Sequence, residues 1–260
     1  MATDGRRFLG EHYKHSVNGT SMQITIRPAR PDDAAALTPL VFSSGPLAFD
    51  YVFSPQKAGG TRTFLQFALE REEGVFSYRQ HHVAEHEGRI VGSVMLHGGV
   101  DNNALAMGNV KTIIRCFGAL GCVGIMMRGL KMESMLKPPP IDCAYLGHLG
   151  VGPDLRSHGI GAQLLDYANA WSREAGYQKL VLDVAATNER AEALYARHGY
   201  RRIEHRPFLH NKPGHNKSGH NKPGHNKPGH NKPGMSQVPD HYRMVRFIEG
   251  VRLRPRAIQR

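Results

Sequence analysis

The chain has 260 residues, 40% of them hydrophobic and 22% charged, which is enough apolar material for a core and excludes both a globally disordered chain and a disulfide-stapled miniprotein. Lysine and arginine number 34 against 22 acidic residues, a formal +12 that suits anionic partners without naming one. Five of those charges (Lys212, Lys217, Lys222, Lys227 and Lys232) lie in five pentapeptides over residues 210–234, four His-Asn-Lys-Pro-Gly and one His-Asn-Lys-Ser-Gly, so the other 235 residues carry 12 − 5 = +7.

Residues 1–21 are polar and charged, lack the apolar core of a secretion signal, and read as a flexible extension. Residues 23–29 alternate Ile24 and Ile26 with Thr25 and Arg27, the pattern of a half-buried strand. Pro31-Asp32-Asp33 opens a helix carrying Ala34, Leu37, Leu40 and Val41, with Asp32 as its cap. A second helix begins near Thr61, with Phe64, Leu65, Phe67 and Ala68 near one side. Residues 81–85 and 89–96 flank His86-Glu87-Gly88 and predict a hairpin.

Residues 103–137, rich in Leu, Met and Ile, predict an added helical segment that Pro138-Pro139-Pro140 stops. Its apolar face suits the core, with an oligomer interface or a substrate cleft as alternatives; exposure of that face would favour a homodimer. Arg115 and Arg128 leave twelve uncharged residues between them. A bilayer crossing needs about 20, so no membrane partner is expected. The three cysteines, Cys116, Cys122 and Cys143, are odd in number and lack a Cys-x-x-Cys spacing. They argue against a disulfide framework or thiolate metal site and for a reducing, cytoplasmic compartment.

Residues 143–151 then read as a strand, 155–158 as a loop, and 159–175 as a helix with Ile160, Leu164, Leu165, Ala168 and Trp171 on one side. Leu180, Leu182 and Val184 alternate along a strand at 179–184. Asn188 caps a short helix bearing Ala191, Leu194 and Tyr195, which Gly199 ends, and strands follow at 200–205 and 242–248. The order is mixed α/β, with crossover units on a sheet that has a parallel portion.

The loop Leu155-Arg156-Ser157-His158-Gly159-Ile160-Gly161 follows a strand and opens an amphipathic helix. Its glycines let backbone N–H groups turn inward, the helix start adds unpaired donors, and Arg156 adds a fork of donors suited to phosphate oxygens. The spacing fits neither the Gly-x-x-x-x-Gly-Lys-Ser/Thr nucleotide loop nor the Gly-x-Gly-x-x-Gly dinucleotide fingerprint. Taken alone it suits an anion nest and an ordinary strand-to-helix turn equally.

Two signatures together carry a resemblance. Arg156, Gly159 and Gly161 form Arg-x-x-Gly-x-Gly after Leu149-Gly150-Val151-Gly152-Pro153, and Asn188, Ala191, Leu194, Tyr195, Gly199 and Tyr200 form Asn-x-x-Ala-x-x-Leu-Tyr-x-x-x-Gly-Tyr. Residues 145–200 therefore resemble the acetyl-CoA-binding half of the GNAT superfamily of N-acetyltransferases, and residues 24–40 with the Val83-Ala84-Glu85 and Ile90-Val91-Gly92 hairpin are similar to its first strands. Ser157-His158 departs from the Gly or basic residue that members often carry there. The resemblance implies an acyl-CoA N-acyltransferase fold of the α/β class, with a central mixed sheet of about seven strands flanked by helices. It implies one domain over residues 22–260, with 103–140 as an extra helical segment and 210–234 as a loop inserted before the last strand.

The same resemblance implies transfer of the acetyl group of acetyl-CoA to a primary amine of a small-molecule or protein acceptor, by direct attack in a ternary complex. Tyr195 stands at the position of the acid that protonates the leaving thiolate, while His148 and Glu85 are candidates for the base. Leu149 and Val151 would pair with the pantetheine arm, the N–H near Val151 meeting the oxyanion. Arg156, Ser157, His158, Gly159, Ile160 and Gly161 would form the phosphate loop, and Asn188 would orient the cofactor as well as cap its helix. Alternation puts the His148 side chain opposite Tyr145 and Leu149 unless a bulge intervenes.

Two other readings compete. Nucleic-acid readers interleave basic residues with exposed aromatics, but here the aromatics fall mostly inside apolar patterns, with no zinc-finger spacing or basic recognition helix. Metal binding by His210, His215, His220, His225 and His230 is the other alternative. Extended pentapeptides hold adjacent imidazoles too far apart for one ion and Lys-Pro-Gly-His forms a type II turn, so the tract reads as a solvated loop and no metal site is expected.

Overall fold

The computed structural model describes residues 13–15, 22–53, 60–209 and 238–250. The repeat tract, with its reading as a solvated loop, lies outside the described residues. Among the described residues, eight strands form one mixed sheet: β1 (Tyr13–His15), β2 (Ile24–Pro28), β3 (His81–His86), β4 (Arg89–Gly98), β5 (Cys143–Val151), β6 (Lys179–Ala185), β7 (Arg201–Arg206) and β8 (His241–Phe247). Their spatial order is β1-β2-β3-β4-β5-β6-β8-β7, with every pair antiparallel except β5 and β6. Seven of these are the strands expected from the patterning. The eighth, β1, pairs its short backbone with β2 from within the stretch read as an extension.

The hairpin forms as its spacing predicts. Glu87 and Gly88 both take positive φ, 48° and 74°, the backbone of a two-residue turn that matches the twist of the strands it joins. Among the described residues, six α-helices flank the sheet: α1 (Ala34–Ser43), α2 (Pro46–Phe53), α3 (Gly60–Leu69), α4 (Asn102–Glu133), α5 (Ile160–Glu174) and α6 (Glu189–Arg197). The start of α1 falls later than the expected Asp32 cap. Pro31–Asp33 is a 3-10 turn, and Asp33 accepts hydrogen bonds from Arg30 N (2.7 Å) and Arg27 Nη1 (2.7 Å). Helix α2 escaped the sequence reading because its eight residues are apolar nearly all round, leaving no stripe.

Strand alternation divides the core. Ile24, Ile26, Ala84, Leu180, Leu182 and Val184 pack toward α5, whereas Val83 packs with Leu37, Val41, Phe64 and Leu65 of α1 and α3. Helix α4 lies over that second layer through Ile113 and Ile125, and breaks at Gly118, whose φ of 71° and ψ of 171° leave the helical region. Much of its outer face is apolar and exposed, at Leu120, Val123, Met127 and Leu130. The sequence argument against a bilayer crossing rested on the twelve residues between two arginines. Over Gly99–Glu133 as a whole, the helix is long and apolar enough, by length and composition alone, to cross a membrane.

One feature of this topology shapes the site. β5 and β6 pair only from Cys143↔Lys179 to Leu146↔Leu182, and beyond that both strands continue but part. Each is held elsewhere. On β6, Asp183 is 1% exposed at its side chain and takes Arg243 of β8 at 3.0 and 2.7 Å, Arg206 of β7 at 3.4 Å and the Tyr145 hydroxyl at 3.2 Å. On β5, a Cβ at Gly150 would stand 2.4 Å from Leu40 O, so only glycine lets this strand press against α1.

Candidate active site

A cleft of about 760 Å³ opens where β5 and β6 part, lined by both strand ends, the loop before α5, one side of α6 and the α1–α2 corner. On its loop side, Gly159 caps α5 with φ of 81°, which favours glycine. Gln163 N donates to Gly159 O (3.1 Å), leaving the N–H groups of Ile160, Gly161 and Ala162 without helical acceptors. Ser157 also has positive φ, 70°, and its hydroxyl accepts a hydrogen bond from Arg190 Nη2 (2.9 Å). Arg156 Nε reaches Val151 O at 3.4 Å, and His158 Nδ1 lies 3.0 Å from Arg156 O. Arg156, Arg190, Arg197 and His198 all line the cleft. Two guanidinium groups beside a helix N-terminus are a donor set that fits a pyrophosphate.

The strand edge facing the gap is equally ready. Gly152 N donates to Val91 O on the β4 side (2.9 Å), so alternation turns the Val151 N–H toward the open side. Leu149 and Val151 both line the cleft. Across from them, Tyr195 is 7% exposed as a residue, yet its hydroxyl has no partner among the described residues and is not enclosed, so it opens on the cleft. Burial raises its pKa and keeps the phenol protonated. Asn188 also lines the cleft while its Oδ1 accepts from Ala191 N (3.1 Å), the cap its position predicts.

His148 sits at a bulge. Ser93 pairs with Gly150 but Met95 with Gly147, which leaves one extra residue on β5, and His148 has φ of 48°. The bulge suspends strict alternation and brings His148 into the cleft lining together with Tyr145 and Leu149. Ser93 Oγ donates to the His148 carbonyl (3.3 Å). The imidazole packs against Phe49 of α2 and Phe76, ring centres 5.6 and 5.5 Å away, which also touch each other (6.1 Å), and its Nδ1 is 3.0 Å from Nε2 of His81 on β3. Glu85 stands apart from this group. Its carboxylate accepts from Arg27 Nε at 2.9 Å, and it does not line the cleft.

Phe49, Phe76, His81 and Arg190 escaped the sequence reading. Phe49 and Phe76 lie in or near elements whose pattern is uniformly apolar or irregular, and Arg190 is one of many basic residues. His81 was legible only as the start of a strand. Among the described residues no group of three or more His, Cys, Asp or Glu could hold a metal.

Residues 50–200 match the model of the acetyltransferase (GNAT) family, and the chain belongs to that family. It is an acyltransferase whose acetyl donor is acetyl-CoA. Among solved structures, an N-acetyltransferase from Staphylococcus aureus Mu50 is 14% identical with a TM-score of 0.54, covering 85% of this chain and 98% of that one. The crystal structure of another acetyltransferase is 18% identical with a TM-score of 0.50, covering 86% and 99%. At such identities the likeness is one of fold. Comparison with curated proteins finds no match.

Three histidines, His81 and His82 buried on β3 and the half-buried His148, are held neutral. Burial pushes His81 down to about 4 and His82 to about 3, the latter with help from His81, and drives His148 well below 6.5. As pH falls below about 6.5, an unfolded chain takes up protons that the folded one refuses, so stability present above that pH is lost toward pH 4. The Asp33 carboxylate lies in a lower window: burial opposes its ionisation, but bonds from Arg27 and Arg30 outweigh this and hold it below its ordinary value. His82 packs on Tyr167 with its Nδ1 unpartnered. We therefore expect the stability difference between His82→Phe and the parent to shift in the variant's favour as pH drops from neutral toward 4, read from thermal midpoints. A difference independent of pH would show that His82 does not titrate with unfolding.

Proposed function

We propose that the chain is an N-acetyltransferase that passes the acetyl group of acetyl-CoA directly to a primary amine within a ternary complex. The observation that carries this reading is the convergence of two open polar atoms, His148 Nε2 and the Tyr195 hydroxyl, on the cleft that also holds the Arg156 loop. Neither atom is enclosed or hydrogen-bonded among the described residues.

The chemistry needs three services, and the cleft has a group for each. The amine must lose a proton to attack. A neutral His148 offers a lone pair at Nε2 to take it. The thioester oxygen gains charge as the C–N bond forms, and the Val151 N–H, turned to the gap, is placed to donate to it. The C–S bond then breaks, and the protonated Tyr195 phenol supplies the proton that the thiolate takes. Arg156, Arg190 and the first N–H groups of α5 hold the donor's phosphates, with Ser157, His158 and Gly159 shaping the loop. Glu85, engaged by Arg27, has no part in this scheme.

The acceptor end has its own character. Among the described residues, Asp183 is the one acid that lines the cleft, and it is already neutralised by Arg243 and Arg206. Ala48, Phe49, Met95, Leu136 and Tyr145 line it together with Ser43, Ser44 and His241. With no free carboxylate among these residues to meet a second cation, the cleft suits an amine on an apolar or aromatic body better than a polyamine.

Calorimetry with CoA should show saturable binding to the parent and a loss of affinity of about tenfold or more for Arg156→Glu, which reverses a charge beside the phosphates. Unchanged affinity would remove the loop from the donor site. Tyr195→Phe should lower kcat by about 100-fold, the usual worth of a positioned acid, with little change in CoA affinity. A parental rate would mean that some other group protonates the thiolate. In a panel of amines assayed by thiol release, arylalkylamines should exceed polyamines in kcat/KM, and the reverse ranking would refute the acceptor assignment.

A further inference from the structure

Beneath the proposed base lies a second histidine that no substrate reaches. His81 is 0% exposed at the start of β3, with Nδ1 2.7 Å from the carbonyl oxygen of Ser77 and Nε2 3.0 Å from His148 Nδ1. The two imidazole planes differ by 17° and their centres are 5.2 Å apart. With 3.0 Å between the facing nitrogens, the rings meet edge to edge, as a ring N–H pointing at a ring lone pair requires.

The direction of this chain of bonds follows from one fixed end. A backbone carbonyl can only accept, so the proton between Ser77 and His81 must sit on His81 Nδ1. His81 is neutral in its buried place, pushed down to about 4, so its Nε2 carries no proton and can only accept. The proton of the second bond therefore belongs to His148 Nδ1. A neutral His148 protonated there is bare at Nε2, the atom left open on the cleft. Free histidine favours the opposite tautomer, in which Nε2 holds the proton and could not receive one from an amine.

We propose that His81 is a positioning residue that relays the Ser77 carbonyl to His148 and fixes the tautomer with an unprotonated Nε2 toward the acceptor amine. The inference rests on the reading of His148 as the base. It adds why a histidine at a strained strand position is ready to act without first losing a proton. The surroundings support the same end. Phe76 stacks on the ring, Phe49 packs beside it, and Ser93 holds the bulge through the His148 carbonyl, so both the imidazole and the strand that carries it have fixed neighbours.

The tautomer can be read without any turnover. Assigned 15N resonances of the wild-type imidazoles at neutral pH should show His148 protonated at Nδ1 and bare at Nε2, and His81 likewise. His148 protonated at Nε2 would overturn the proposal whether or not any variant folds. In kinetics, His81→Leu should lower kcat by about tenfold or more, part of what a general base supplies, while leaving KM for acetyl-CoA unchanged. His81→Gln, whose Oε1 can accept from His148 Nδ1, should recover most of that rate. A parental kcat in His81→Leu together with lost turnover in His148→Gln would overturn the positioning role alone, whereas parental turnover in His148→Gln would overturn the base assignment beneath it.

Discussion

The constraint on which the site depends is the parting of β5 from β6 after Leu146 and Leu182. Parallel strands normally continue to pair, because every unpaired backbone group buried between them costs free energy. Here each strand is bound more firmly to something else. Asp183 ties β6 to β7 and β8 through two buried arginines, and the same arginines reach the Met135 and Lys137 carbonyls after α4. Gly150 lets β5 lie directly on α1. The gap is thus a consequence of packing on both flanks, and the backbone groups it exposes are available to an extended ligand as one strand is to another.

The gap also explains where the chemistry-bearing residues gather. A crossover from β5 through α5 to β6 puts the start of α5 at the mouth of the gap, where its unpaired N–H groups and the Arg156 loop meet the cleft. Helix α6, leaving β6, presents Tyr195 and Arg190 from the other side. The bulge at His148 lies at the same level on β5. The Arg156 loop, Tyr195 and His148, the proposed donor loop, acid and base, therefore come from successive units of one chain segment, and the two short signatures in residues 156–200 fall on two of those units.

What the sequence made legible and what it hid divide on physical lines. Alternation at Ile24 and Ile26 marked a strand because Thr25 and Arg27 between them are only half-buried; along Leu180, Leu182 and Val184 both faces are buried, and it is the polar Lys179 and Asp183 of the opposite face that kept the pattern visible. The Gly-rich loop and the Asn188 cap were visible because they depend on residues close in sequence. The His148–His81 contact spans 67 positions, and the bulge that aims His148 is set by register against β4, so neither leaves a local signal. Helix α2 is apolar at all but Asp50, although only Phe53 is buried, so its pattern marks no buried stripe, and with it Phe49 went unseen. The expected Asp32 cap does not form because Arg27 and the Arg30 N–H hold the Asp33 carboxylate and close a 3-10 turn ahead of α1.

The kind of base at this place is itself a physical consequence of the cleft. A carboxylate packed against Phe49 and Phe76, with no free cation beside it among the described residues, would be driven toward its protonated form and lose the lone pair it is meant to offer. An imidazole under the same burial is driven the other way, toward the neutral form that has one. The apolar acceptor end and a histidine base are therefore compatible where an apolar end and an acidic base are not. Neutrality alone leaves the proton free to sit on either nitrogen, and Nε2 would then be blocked in the favoured form. The buried His81, anchored at Ser77, removes that ambiguity, so the environment that suppresses the charge of His148 and the contact that orients its proton are two parts of one arrangement.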